Sequence, residues 1–297
     1  MEYFSGYEFI KLVQSFSNSF FDIFFKYITM LGDEIFYLIF IPIIYLCFNK
    51  VIGLNLITFY LVSSISNTYL KDFFHTLRPS PEKVRVLIEE DSYAFPSNHA
   101  QGAVVFFGYL LSEVKKNWLK IMLLIIIFLV SLSRIYLGVH FPIDVFGGWI
   151  IGFLILIILL FLIEKYQVWE FLSNYNKKYF HHDYLIPILI ISIPLIIFLI
   201  YPTYSTGQII GILSGIILGA TFEKRYIDFN PKAKLYIQVI KIIIALSVSL
   251  IIRIGLKEIL PVADFFTYIR YFIMGLWLTF IMPLIIKKAN LEENENN

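Results

Sequence analysis

Three short polar clusters interrupt an otherwise strongly apolar chain, and their residue types suit phosphate chemistry. The first is Lys71 with Arg78-Pro79, the second is Pro96-Ser97-Asn98-His99, and the third joins Ser133-Arg134 to His140 and Asp144. Lys71, Arg78 and Arg134 supply cations with enough donors to surround the equatorial oxygens of a phosphoryl group. Ser97 adds a hydroxyl. The backbone N–H groups of Asn98 and His99, opening a helix, add unpaired donors and a favourable dipole. His140 and Asp144 stand four residues apart, with Pro142 between them suited to a helix's first turn. A carboxylate so placed can hold one imidazole nitrogen and leave the other free to attack phosphorus. His99 can then protonate the leaving alkoxide and afterwards activate water.

The elements that must position these clusters are membrane helices. Hydrophobic residues make up 59% of the 297, against about 45–50% in soluble proteins, and charged residues 15% against about 25%. Mean hydropathy is +0.77. No soluble globule hides that much apolar surface, so a soluble enzyme, a disordered chain and a disulfide scaffold are excluded. With 24 basic and 22 acidic residues, no charge excess points to nucleic acid. Cys47 is the single cysteine, and the N-terminus lacks the features of a cleaved signal, so it reads as mature protein.

A spanning helix needs about 20 mostly apolar residues. The runs that qualify are 52–75, 98–114, 118–138, 142–164, 184–203, 206–222, 235–256 and 264–286, with a shorter one over 33–48 that contains Pro42. The expected fold is therefore all-α, a polytopic membrane helical bundle of about nine transmembrane helices. Ahead of it, residues 1–32 place Phe9, Leu12, Phe16, Phe20, Ile23 and Tyr27 on one helical face and Lys11, Ser15, Asn18, Asp22 and Lys26 on the other. That pattern predicts one amphipathic interfacial helix. The expected organisation continues with a catalytic membrane core over 33–165, a polar cytoplasmic connector over 166–183, a C-terminal four-helix membrane unit over 184–288 and a polar tail over 289–297.

With nine spans, Lys50, Lys115, Lys116, Lys120, Lys165, the 224–234 basic residues and Lys287-Lys288 all fall on one side, expected to be the cytoplasm. The three polar clusters then share one layer on the opposite, extracytoplasmic side.

The clusters resemble the signature of the type 2 phosphatidic acid phosphatase (PAP2) superfamily, K-x6-R-P, P-S-x-H and S-R-x5-H-x3-D. Here it reads Lys71-x6-Arg78-Pro79, Pro96-Ser97-Asn98-His99 and Ser133-Arg134-x5-His140-x3-Asp144, ten fixed positions in order within a resemblance covering about 30–165. Asn98 stands where the family most often has Gly. The resemblance implies a helical-bundle core and metal-independent, cofactor-free dephosphorylation through a phosphohistidine. His140 would be the nucleophile, Asp144 its partner and His99 the general acid. Lys71, Arg78, Ser97, Asn98 and Arg134 would bind phosphate.

Together these readings predict a cell-membrane enzyme acting on a phospholipid or polyprenyl phosphate. The rival within the same chemistry is an undecaprenyl diphosphate phosphatase. From another class, a lipid flippase with a vestigial site is opposed by the intact motif, and a haloperoxidase by the membrane spans. Outside the motif, His75 reads as a flank, His181 and His182 as a solvated loop, and Asp33-Glu34 as a solvated helix cap. Gly207, Gly211, Gly215 and Gly219 form a stripe that reads as helix packing within the monomer. Arg253 and Arg270, with Asp264 near their level, read as a structural ion pair in preference to a headgroup pocket.

Overall fold

The computed structural model describes residues 6–166, 169 and 185–293, and every regular element among them is helical. The order is α1 Gly6–Gln14, α2 Ser19–Thr29, α3 Glu34–Cys47, α4 Lys50–Phe74, α5 Asn98–Glu113, α6 Asn117–Tyr136, α7 Pro142–Tyr166, α8 Leu185–Ile200, α9 Tyr204–Tyr226, α10 Leu235–Ile259, α11 Asp264–Leu276 and α12 Met282–Lys288. A single π-helical turn, Trp277–Ile281, joins the last two. His181 and His182 and nearly all of the expected 166–183 connector lie outside the described residues.

By length and apolar composition, six helices can cross a membrane, or seven if the pair Ser19–Gly32 and Glu34–Cys47, bent by 52°, counts as one span. Nine were expected. The difference lies in α3, in α5, which has only 16 residues and a polar first turn, and in α8, whose described apolar stretch is Ile191–Ile200.

The N-terminal expectation is also revised. Two helices replace one, because Asn18 leaves the helical conformation and its side chain accepts from Phe21 N, capping α2. The apolar face is exposed as expected, from Phe9 through Tyr27. Of the polar face, Lys11, Ser15, Asn18 and Lys26 are exposed while Asp22 meets protein. Asp22 accepts from Tyr136 Oη at 2.6 Å and from Arg85 Nη2 at 2.8 Å, and Phe25 lies 4.4 Å from the Tyr136 ring. Gln14 Nε2 donates to Arg85 O at 2.7 Å and Tyr136 O at 2.9 Å. An amphipathic pattern looks the same whether its polar face meets water or protein carbonyls.

The chain divides into two compact units, residues 1–38 with 62–160, and residues 39–61 with 161–297. In the first, α5 packs on α6 and the start of α7. Gly148 and Gly152 make the α7 approach possible, since a Cβ there would stand 2.8 Å from Ser97 O and from Gln101 O respectively. A buried amide network locks α4 to α5. Gln101 Nε2 donates to Ser63 O at 2.9 Å, and Asn67 Nδ2 donates to Gln101 Oε1 at 2.9 Å and to Pro96 O at 3.2 Å. Asn67 is one turn before Lys71, so the network sets the lysine against the Pro96–His99 segment.

In the second unit α9 runs along α11. A Cβ at Gly211 would meet Tyr268 O at 2.4 Å, and one at Gly215 would meet Phe272 O at 2.2 Å. The glycine stripe is thus consumed by packing within the chain. At the opposite end of α9, Lys50 Nζ binds Glu223 at 3.1 Å and Asp228 at 2.7 Å.

Candidate active site

Each motif residue reaches the site from a helix end or the loop beside it. Lys71 lies in the last turn of α4, Arg78 follows it, and Ser97 is the residue before α5. Arg134 is in the last turn of α6, and His140 and Asp144 flank the start of α7. The tight turn between α6 and α7 depends on Gly138, which has φ +76°. A side chain there would lie 2.0 Å from Arg85 O. That turn lets Val139 and His140 double back beneath the 76–97 loop.

His140 is buried, with 1% of its surface exposed. Its Nε2 lies 3.1 Å from Arg78 Nη1, and its Nδ1 lies 3.4 Å from Asp144 Oδ2. A guanidinium can only donate, so Nε2 presents its lone pair to Arg78 and the ring hydrogen sits on Nδ1, facing the carboxylate. Burial, reinforced by Arg134, Arg78 and Lys71, drives the His140 pKa well below its ordinary value. The ring is held neutral, with its nucleophilic nitrogen turned toward the cations. Asp144 is fixed in turn by Phe141 N at 2.8 Å, and its own carbonyl accepts from Ser97 N at 3.0 Å.

The cations share one loop. Arg78 donates to Val139 O at 2.9 Å, to Ser92 O at 2.6 Å and to Ser92 Oγ at 3.1 Å. Lys71 Nζ donates to the same Ser92 hydroxyl at 3.0 Å and to Tyr93 O. Arg134, 1% exposed, donates to Thr29 Oγ1 at 2.7 Å and forms an ion pair with Glu90. The other oxygen of Glu90 lies 3.7 Å from Arg78 Nη2. Burial would raise the Glu90 pKa, but Arg134, His99 and Arg78 outweigh it and hold the carboxyl below its usual range. Glu90 is therefore an anion seated between two motif arginines.

His99 is held from a different direction, its Nε2 donating to Asp33 Oδ1 at 2.8 Å. Two buried polar atoms in the cluster have no hydrogen-bond partner, Ser97 Oγ and Arg134 Nε. Leaving such atoms unmatched costs about 1–3 kcal/mol each, and a phosphoryl oxygen has the chemistry to match both.

The site residues read from the sequence therefore fall into two linked groups. Arg78, His140, Asp144 and Ser97 adjoin directly, Lys71 joins Arg78 through Ser92, Arg134 joins through Glu90, and His99 is held by Asp33. Asn98 takes the first position of α5 and makes no side-chain hydrogen bond among the described residues. His75 is exposed beside the Tyr93 ring, as a flank. Sequence reasoning missed Glu90, Asp33, Thr29 and Ser92. In the sequence Asp33 reads as a solvated cap, and Glu90 lies outside the motif beside Glu89 and Asp91.

An all-helical membrane chain that gathers two histidines, a carboxylate and a cationic cradle at its helix ends has the make-up of a membrane phosphatase. Residues 52–168 match the PAP2 superfamily, and residues 207–294 match the PAP2 superfamily phosphatase transmembrane extension. The crystal structure of Aquifex aeolicus LpxE superposes with a TM-score of 0.50 and 31% identity, covering 54% of this chain and 98% of that one. Sphingosine-1-phosphate phosphatase 1 of Mus musculus is 30% identical over 65% of this chain and 46% of its own length. Phosphatidylglycerophosphatase B of Bacillus subtilis is 32% identical over 42% of this chain and 62% of its own length. The chain belongs to the PAP2 superfamily, and it spans about half the length of the first curated relatives it matches.

Proposed function

We propose that the protein is a membrane phosphatase that removes phosphate from a lipid phosphate monoester or diphosphate through a phosphohistidine. The observation that carries this reading is the His140 ring, with its Nε2 lone pair toward Arg78 and its Nδ1 toward Asp144. Nε2 attacks phosphorus, the P–O ester bond breaks, and His99, in its protonated form, gives its Nδ1 proton to the departing alkoxide while Nε2–H stays on Asp33. Water then attacks phosphorus, the P–N bond breaks, and His99 takes the water's proton as phosphate leaves. Lys71, Arg78, Arg134, the Ser97 hydroxyl and the N–H groups opening α5 hold the equatorial oxygens, so no metal is needed for charge neutralisation. Asp33 positions His99 and keeps a hydrogen on its Nε2.

The substrate reading rests on the site's place at helix ends and on relatives named for sphingosine-1-phosphate, phosphatidylglycerophosphate and lipid A. In this reading α3, α5 and α8 complete nine crossings, the basic loops face the cytoplasm and the site opens on the extracytoplasmic face of the cell membrane. A reporter fused after Lys288 is expected inside the cell, and its appearance outside overturns the orientation.

The chemistry is tested with purified protein and sphingosine-1-phosphate, phosphatidic acid, phosphatidylglycerophosphate and undecaprenyl diphosphate, each with and without EDTA. Release from at least one lipid, unaffected by EDTA, is expected. Release from soluble esters alone would sink the lipid assignment. An acid-labile, base-stable phosphoenzyme should form in the wild type and be absent from His140→Ala, with turnover down roughly a thousandfold or more.

A further inference from the structure

Arg270 is the unexplained charge of the second unit. It lies on α11, six residues from the helix start, which puts its Cα about 9 Å inside the span. It is 5% exposed, and its Nε is buried without a hydrogen-bond partner. The ion pair expected from the sequence is absent among the described residues. Asp264 is on the same helix but about 120° around it, out of reach. Glu223, Asp228 and Glu292 are all bound to lysines elsewhere. Arg253, on the neighbouring α10, is exposed, as a snorkelling arginine should be. Arg270 does not snorkel. Its nearest described partner is neutral. Its guanidinium carbon stands 5.5 Å from the ring centre of Tyr271, whose hydroxyl accepts from Gln208 Nε2.

A guanidinium at membrane depth with no counter-charge among the described residues is costly, and a bound anion offsets that cost. We propose that Arg270, with Tyr271 and Gln208 beside it, anchors an anionic lipid headgroup in the C-terminal unit, bound through its phosphate. A guanidinium fork matches phosphate oxygens, and amide and phenol groups next to it suit the rest of a headgroup. A lipid is the source because the side chain sits within an apolar span where tails can follow, and a free ion would have no such path. This inference is independent of the phosphatase reading.

The test uses the full chain in nanodiscs of phosphatidylcholine with or without phosphatidylglycerol, with retained lipid counted by native mass spectrometry. Wild type is expected to retain phosphatidylglycerol. Arg270→Gln should retain at least about tenfold less, and Arg270→Lys an intermediate amount, having a point charge but no fork. Equal retention by wild type and Arg270→Gln overturns the proposal. So does loss in Lys71→Gln but not in Arg270→Gln, which would assign the lipid to the phosphate cradle of the other unit. Wild type alone gives a second measure, should the variants fail to fold. Its melting temperature should rise with phosphatidylglycerol content at constant total lipid, and no rise overturns the proposal. An equal rise in pure phosphatidylcholine on adding inorganic phosphate overturns the lipid source.

Discussion

Arg134 and Arg270 are both arginines of membrane helices, 1% and 5% exposed, and the two units treat them in opposite ways. Arg134 is surrounded by a hydroxyl and a carboxylate that the first unit brings from α2 and the 76–97 loop. Arg270 has an aromatic ring and, among the described residues, no anion. The contrast teaches that burial of a charge does not by itself reveal its task. What matters is whether the fold itself provides the neutralising partner.

One substitution applied to both positions breaks or sharpens the comparison. Arg134→Met removes the proposed phosphate donor and strands Glu90 and Thr29, so lipid phosphate release should fall at least a hundredfold. Stability should drop by about 3 kcal/mol as well. Arg270→Met removes an uncompensated charge, so in neutral lipid the melting temperature should hold or rise, by the equivalent of about 1 kcal/mol. Both are read by thermal unfolding in phosphatidylcholine nanodiscs. A matching loss in the two variants would mean that Arg270 has a partner equal to Glu90.

Next in size is the packing of the second unit. Gly211→Val drives a side chain into Tyr268 O and should cost about 1–3 kcal/mol, whereas Gly255→Ala, with nothing within 4 Å, should gain up to about 1 kcal/mol of helix propensity. Thermal unfolding separates the two. In the first unit, Asp33→Asn should slow turnover of an alkyl phosphate about tenfold yet barely affect an aryl phosphate, whose leaving group needs little protonation. Equal losses on both substrates would make Asp33 structural rather than a positioning residue.

The smallest expected effect is on pH. The pKa of His140 is depressed in the native state, so below about pH 6.5 the unfolded chain takes up a proton that the folded chain refuses. Stability should fall as pH drops through that window. His140→Asn should show a smaller difference in melting temperature between pH 7.5 and pH 5.5.

The motif residues were legible because their spacing is fixed by helix ends, and a ten-position pattern survives without knowledge of the fold. The helical class was legible because hydropathy measures the solvent directly. Pro142 marked the start of α7, whereas Gly138, the turn residue, fell inside the expected 118–138 span and the helix ends at Tyr136. Glu90 and Asp33 could not. Each stands beside other acids, with nothing in the spacing to single it out, and only the folded path of the 76–97 loop and the break before α3 brings them to Arg134 and His99. The role of the N-terminal helices was hidden for a related reason, since Gln14 and Asp22 satisfy carbonyls and hydroxyls from residues 85 and 136. Arg270 misled because a nearby acid in the sequence suggested a pair that helical phase forbids.

The amide network around Gln101 has a consequence for how the chain enters the bilayer. Helix α5 carries Asn98, His99 and Gln101 in its first turn and has only 16 residues, so alone it is a poor candidate to leave the translocon for lipid. Its amide is satisfied only by Ser63, Ser66 and Asn67 of α4. In the nine-crossing reading, α5 is expected to enter the bilayer paired with α4, which satisfies that amide. On that reading insertion and the proposed chemistry depend on one contact, since the same α4–α5 pairing sets Lys71 against the Pro96–His99 segment.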